Sequence, residues 1–186
     1  MKLEIINLQK LCPVDKNRMK KIVRNVLKSE KKDAELNVVF TDNKRIKEIN
    51  KTFLGHNYAT DVITFAYHEP SLNEDKASYN LDLIAPPSNK RGIKGGDQER
   101  TKKTAGKKWA VRGNTLTGEI IISVEMAKKL AQKHDCAVEG EIALYLVHGL
   151  LHLFGYDDKQ KKDAKKMHQR EGELLSDLGF RVPVPH

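Results

Sequence analysis

The sequence predicts an α+β fold: a layered domain with a small mixed sheet of about four strands, helices packed around it and one central, buried helix. Three observations carry this. Short apolar runs rich in β-branched residues alternate with longer stretches whose apolar residues recur every three or four positions. One stretch, AVEGEIALYLVHGLLHLFG (137–155), is apolar nearly all round, as a helix at the centre of a molecule must be. Between about 69 and 116 both patterns vanish, which predicts an insertion within a single domain spanning 1–186.

Taken in order, LEIINL (3–8) predicts a first strand. From Pro13, with Asp15 available as a cap, Met19, Ile22, Val23, Val26 and Leu27 recur at helical spacing with lysines between them. ELNVVFT (35–41) predicts a second, buried strand, and in 42–54 Asp42 or Asn43 can cap a helix whose Ile46, Ile49 and Phe53 share a face. DVITFAY (61–67) and GEIIISV (118–124) predict two more strands, and Glu125 to about Lys133 a helix that precedes the apolar one. Residues 159–180 form a charged helix whose Met167, Leu174 and Leu175 can dock on the core. Leu81, Leu83 and Ile84 are placed as a short edge strand.

The chain has 186 residues, 39% hydrophobic, and a formal charge of +9. That charge is concentrated. Between Pro86 and Gly113 nine lysines and arginines stand against Asp97 and Glu99, which is +7 of the +9 and predicts a basic appendage on a nearly neutral body. No segment approaches the roughly 18 consecutive apolar residues of a membrane span. MKLEIINLQKL carries Glu4 and too short an apolar run for a secretory signal, and Cys12 and Cys136 form no metal-type pair, which together predict a cytoplasmic protein without disulfides.

LVHGLLHLFGYDD (146–158) carries the chemistry. His148 and His152, four apart on one helix face, can aim both rings at one point. Gly155 allows the chain to turn back after the helix, and Asp158 follows three residues on. Two imidazoles and a carboxylate, with a fourth position for water, make the ligand set of a catalytic zinc. Asp157 competes with Asp158 for the third place. Zinc proteases place a glutamate directly after the first histidine as general base; here Gly149 occupies that position, which argues against a peptidase.

HGLLHLFGYDD, NKTFLGHNYATDVITFAY (50–67) and TGEIIIS (117–123) together resemble the YbeY family of endoribonucleases, also called the rRNA maturation factor family, in order and spacing from about Leu3 to Phe180. The resemblance implies metal-dependent cleavage of single-stranded RNA in ribosomal RNA processing, small-subunit maturation and ribosome quality control, with a Zn2+ ion and ribosomal RNA, the small ribosomal subunit and ribosomal proteins as partners. Members hold zinc through three histidines; two match as His148 and His152, and Asp158 stands at the third, leaving the site one charge less positive and open to another divalent metal. Many members carry an arginine before the loop glycine, where this chain has Leu54 before Gly55. His56, the expected catalytic residue, or a lysine of the insertion then has to hold the scissile phosphate. Thr60 and Asp61 open the following strand, and Asp61 is read as fixing a turn.

In the insertion, Lys90, Arg91, Lys102, Lys103, Lys107, Lys108 and Arg112 are expected to contact RNA phosphates, and Trp109 to stack on an unpaired base. The rival reading is a non-catalytic ribosome-assembly RNA-binding factor in which a structural metal pins the helix to the following turn. A hydrolase of small substrates or peptides is disfavoured by Gly149 and leaves the basic insertion unexplained.

Overall fold

The structure, a computed structural model, describes residues 1–67 and 115–180. The expected edge strand at Leu81–Ile84 and all eight residues expected to bind RNA in the insertion lie outside the described residues. The elements run β1 (Lys2–Asn7), α1 (Lys16–Ser29), β2 (Asp33–Thr41), α2 (Asn43–Ile49), β3 (Val62–Tyr67), β4 (Thr115–Ser123), α3 (Val124–Lys133), α4 (Val138–Leu153) and α5 (Lys161–Asp177). β4 starts three residues before the expected Gly118, so Thr115 and Leu116, assigned to the insertion by composition, belong to the strand.

Three of the described helices start where the sequence offers a side-chain acceptor. Asp15 takes the backbone N–H groups of Asn17 and Arg18, Asp42 that of Arg45, and Ser123 that of Met126. The predicted helix over 42–54 does not stay α-helical: after Ile49 it widens into a π-helical turn, Asn50–Leu54, closed by Gly55 at φ 75°. The extra residue in that turn places Asn50 among the buried groups and leaves Leu54 exposed.

The four strands form one mixed sheet in the order β1-β2-β4-β3, with β1, β2 and β4 parallel and β3 antiparallel to β4. Alternation along the strands splits the apolar residues between two faces. Ile5, Leu36, Val38, Phe40, Ile120 and Ile122 join the main core with α1, α3, α4 and α5, while Val39, Ile63 and Ile121 pack beneath Ile46 and Ile49 of α2. α4 is the central helix that the sequence predicts, packed against α1, α3, α5, β3 and β4. Ile142, Leu146, Val147, Leu150 and Leu151 are almost wholly buried in it.

Gly149 explains how α4 can lie so close to the sheet. A Cβ there would sit 2.8 Å from Ile120 Cγ2 and 3.0 Å from Thr64 Oγ1. The residue that speaks against a protease base is therefore required by packing. Gly149→Ala is expected to cost about 1 kcal/mol in urea denaturation, since overpacking of about 1–3 kcal/mol outweighs the roughly 1 kcal/mol an alanine adds to a helix. A gain in stability would show that the contact is loose.

On the face beneath α2, Glu119 is only 1% exposed; its Oε2 accepts from the Tyr67 hydroxyl at 3.1 Å and its Oε1 has no hydrogen-bond partner among the described residues. Burial pushes its carboxyl up, partly opposed by the Tyr67 hydrogen bond. Folding then favours the protonated form, so stability is highest below the ordinary glutamate value and falls as pH rises through the raised one. Glu119→Gln is expected to lack that fall, with thermal midpoints that exceed wild type more at pH 8 than at pH 5.

Candidate metal centre

α4 ends in a turn that builds the site. Phe154 caps it, Gly155 takes φ 93°, Gly155 N–H donates to His152 O at 3.0 Å and Tyr156 N–H to Leu151 O at 3.0 Å. These are the two paired bonds of a Schellman turn, which only a residue free to adopt left-handed φ closes without strain. The reversal brings the Tyr156 carbonyl and the Asp158 side chain back over the last turn of the helix.

His148 and His152 face one another as the spacing predicts, with ring centroids 4.5 Å apart and planes at 83°. The outer nitrogen of each ring is engaged. His148 Nδ1 lies 2.6 Å from Glu171 Oε1 and His152 Nδ1 lies 3.1 Å from Tyr156 O. A carbonyl can only accept, and so can a carboxylate, so both Nδ1 atoms carry the protons. In the neutral rings both Nε2 atoms are then bare, yet they stand 3.0 Å apart. Two lone pairs at that distance repel unless a positive charge lies between them.

Asp158 supplies part of that charge balance: its Oδ2 is 3.9 Å from both Nε2 atoms. All three ligand atoms fall within 4.8 Å of one another. In a tetrahedral zinc site with bonds of about 2.0–2.1 Å, neighbouring donors are about 3.3 Å apart. The imidazoles are already at that scale, and the carboxylate, 42% exposed, needs to close in by about half an ångström. Asp157 Oδ1 accepts from the backbone N–H groups of Asp158 and Lys159. Among the described residues the group that could hold a metal is His148, His152 and Asp158, without Asp157.

Around His148 the field is negative. Burial disfavours its charged form, but the Glu171 hydrogen bond and the charges of Glu171, Asp158 and Asp61 outweigh it and raise its pKa. In the absence of a metal, a proton can occupy the position that a cation would take.

α5 supports both imidazoles. Glu171 does so directly. Its neighbour Arg170 binds Glu30 Oε1 at 2.7 Å and Ser29 Oγ at 2.8 Å at the end of α1, and Glu30 Oε2 accepts from the Tyr156 hydroxyl at 3.4 Å. Tyr156 is the residue whose carbonyl orients His152. Sequence reasoning missed Glu171, although it sits four after Met167 and four before Leu175 on the apolar stripe of an otherwise charged helix.

The three candidate ligand residues line a cleft of about 610 Å³ together with Leu54, His56, Tyr58, Thr60, Asp61 and residues of β3. His56 thus reaches the same cleft as the histidine pair, stacked on Tyr58 with centroids 5.4 Å apart. Asp61 fixes the turn into β3 as expected, its Oδ1 accepting from the Thr60 hydroxyl and the Val62 N–H, and it also lines the cleft.

Replacing Glu171 with glutamine keeps an acceptor but removes the charge behind His148. Affinity for zinc, read by competition with a chromophoric chelator, is expected to fall about 10- to 100-fold, the usual cost of losing a partner of a metal-binding histidine. Unchanged affinity would remove Glu171 from the site.

Comparison with known proteins places this geometry. The family model described as Endoribonuclease YbeY matches residues 4–179. Proteins named Endoribonuclease YbeY from Oceanobacillus iheyensis and Brevibacillus brevis are 35% and 28% identical, over 79% and 97% of this chain and 75% and 98% of their own length. That of Fusobacterium nucleatum is 29% identical over 89% of this chain and 83% of its own. A solution structure from Thermotoga maritima shares the fold, with a TM-score of 0.50 and 19% identity over 99% of both chains. On the match across nearly its whole length, this chain belongs to the YbeY endoribonuclease family.

Proposed function

We propose that this protein is a metal-dependent endoribonuclease that cuts single-stranded RNA during ribosomal RNA maturation, including processing of the small-subunit RNA and ribosome quality control, in the cytoplasm. The observation that carries the metal is the pair of bare Nε2 atoms 3.0 Å apart with Asp158 beside them at the edge of an open cleft. Cleavage of RNA follows from the name its relatives share. No described helix is long and apolar enough to cross a membrane.

His148, His152 and Asp158 would hold one Zn2+ or a similar divalent ion, which when bound supplies Lewis-acid polarisation of a phosphoryl oxygen and a water of lowered pKa. Glu171 and the Tyr156 carbonyl keep the two imidazoles in the tautomer that presents Nε2. His56, which lines the same cleft, would hold the phosphate or pass a proton to the leaving oxygen. The basic residues Lys90 to Arg112, with Trp109 among them, lie outside the described residues; their charge supports an RNA partner drawn in over a distance that shrinks with salt.

One observation favours the second reading, a ribosome-assembly RNA-binding factor with a structural metal. Leu54 lines the cleft at the position where the family resemblance implies an arginine, so that grip on a phosphate would be missing. A single experiment separates the two. Purified protein is incubated with ribosomal RNA with and without chelator, beside His148→Ala. The nuclease reading expects cleavage that stops with chelator and falls at least about 100-fold in His148→Ala, a loss typical of removing one catalytic electrostatic contact. RNA retained on the protein but left intact under all conditions would establish the assembly factor instead.

A further inference from the structure

The wall of the cleft opposite the metal ligands has an unusual composition. Among the described residues four large hydrophobic side chains are exposed; Met1 and Leu11 lie near the start of the chain, and the other two, Leu54 at 48% and Tyr58 at 57%, lie together on this wall. Scattered exposed apolar residues are ordinary on a protein surface. Two of them, bracketing a histidine and facing a phosphodiester-cleaving centre, call for a partner.

The ridge they form is held rigidly. Asn50, 2% exposed, uses its Nδ2 to donate to Tyr58 O at 2.9 Å, and its carbonyl accepts the His56 N–H at 3.2 Å. One buried residue thus fixes the backbone on both sides of Asn57. Gly55 at φ 75° makes the sharp exit from the π-helical turn that aligns them. The His56 and Tyr58 rings stack with an interplanar angle of 28°. One face of the tyrosine is thereby supported by His56, while more than half of the residue stays open to solvent.

A preorganised aromatic surface beside a nuclease centre matches one chemistry above others, the flat π-face of an unpaired base. We infer that the Leu54–His56–Tyr58 ridge is a nucleobase subsite, in which an unpaired base next to the scissile phosphate stacks on Tyr58 and packs its edge against Leu54. The inference rests on the proposed RNA-cleaving function. It gives the single-strand preference a physical cause, because only a base outside a duplex can lie on the ring. It also gives Leu54 a role, contact with a base in place of contact with a phosphate. Stacking and phosphate contacts differ in a measurable way: neutralising a phosphate releases counterions and steepens the salt dependence of binding, whereas stacking on a neutral ring does not.

The test uses the full chain with chelator present, so that nothing is cut, and short single-stranded oligoribonucleotides carrying 2-aminopurine at successive positions. Wild type is expected to quench the fluorescence at one position. Tyr58→Ala is expected to bind about tenfold more weakly with the same salt slope, and Tyr58→Phe to bind as wild type does, a loss within the range for one stacked base. An abasic nucleotide at the quenched position should cost wild type about tenfold and Tyr58→Ala nothing further. Thermal melts confirm that the variants are folded. Equal affinity of wild type and Tyr58→Ala, or a shallower salt slope in the variant, overturns the subsite and leaves the ridge to a protein surface. If wild type cleaves RNA and Tyr58→Ala cleaves and binds it equally well, this inference fails alone; if wild type neither binds nor cleaves RNA, the proposed function fails and the subsite with it.

Discussion

Two imidazole nitrogens without protons, held 3.0 Å apart, are the constraint around which the rest is organised. With both Nε2 atoms bare that contact is repulsive, so the position suits a positive charge, either a proton or a metal ion. The local helix spacing brings the rings together, but only the commitment of both Nδ1–H groups elsewhere makes the inner nitrogens bare. A metal held by His148, His152 and Asp158 would favour the folded chain, since these residues converge when α4 and its terminal turn have formed. Ion uptake and stability are therefore linked.

The charged C-terminal helix has a larger part in this than its composition suggests. Through Glu171 it orients one ligand directly, and through Arg170, Glu30 and Tyr156 it steadies the carbonyl that orients the other. A carboxylate only 5% exposed, as Glu171 is, would be costly if it stood alone; its 2.6 Å bond to His148 offsets that cost. The arrangement ties the geometry of the site to the docking of α5 on the core by Met167, Leu174 and Leu175.

The cleft divides into two chemistries. Its lining joins the imidazoles and Asp158, whose donors could hold a cation, to Leu54, His56 and Tyr58, which offer apolar and aromatic surface. The carboxylates of Glu171, Asp158 and Asp61 around His148 favour a positive charge on it.

By itself the sequence determined whatever depends on neighbours along the chain. Periodicity marked the helices and strands to within a few residues, Asp15 and Asp42 announced their caps, and a four-residue spacing put His148 and His152 on one face, because all of these are properties of a few consecutive peptide units. Tertiary structure decided what depends on distance through space. The order β1-β2-β4-β3 with an antiparallel edge, the widening of the helix at Asn50, and the bond from His148 to Glu171 on another helix each require packing between segments apart in the chain. Gly149 joins the two levels: its identity could be read at once, but its reason, the Ile120 methyl 2.8 Å from where a Cβ would be, exists only when α4 lies against the sheet.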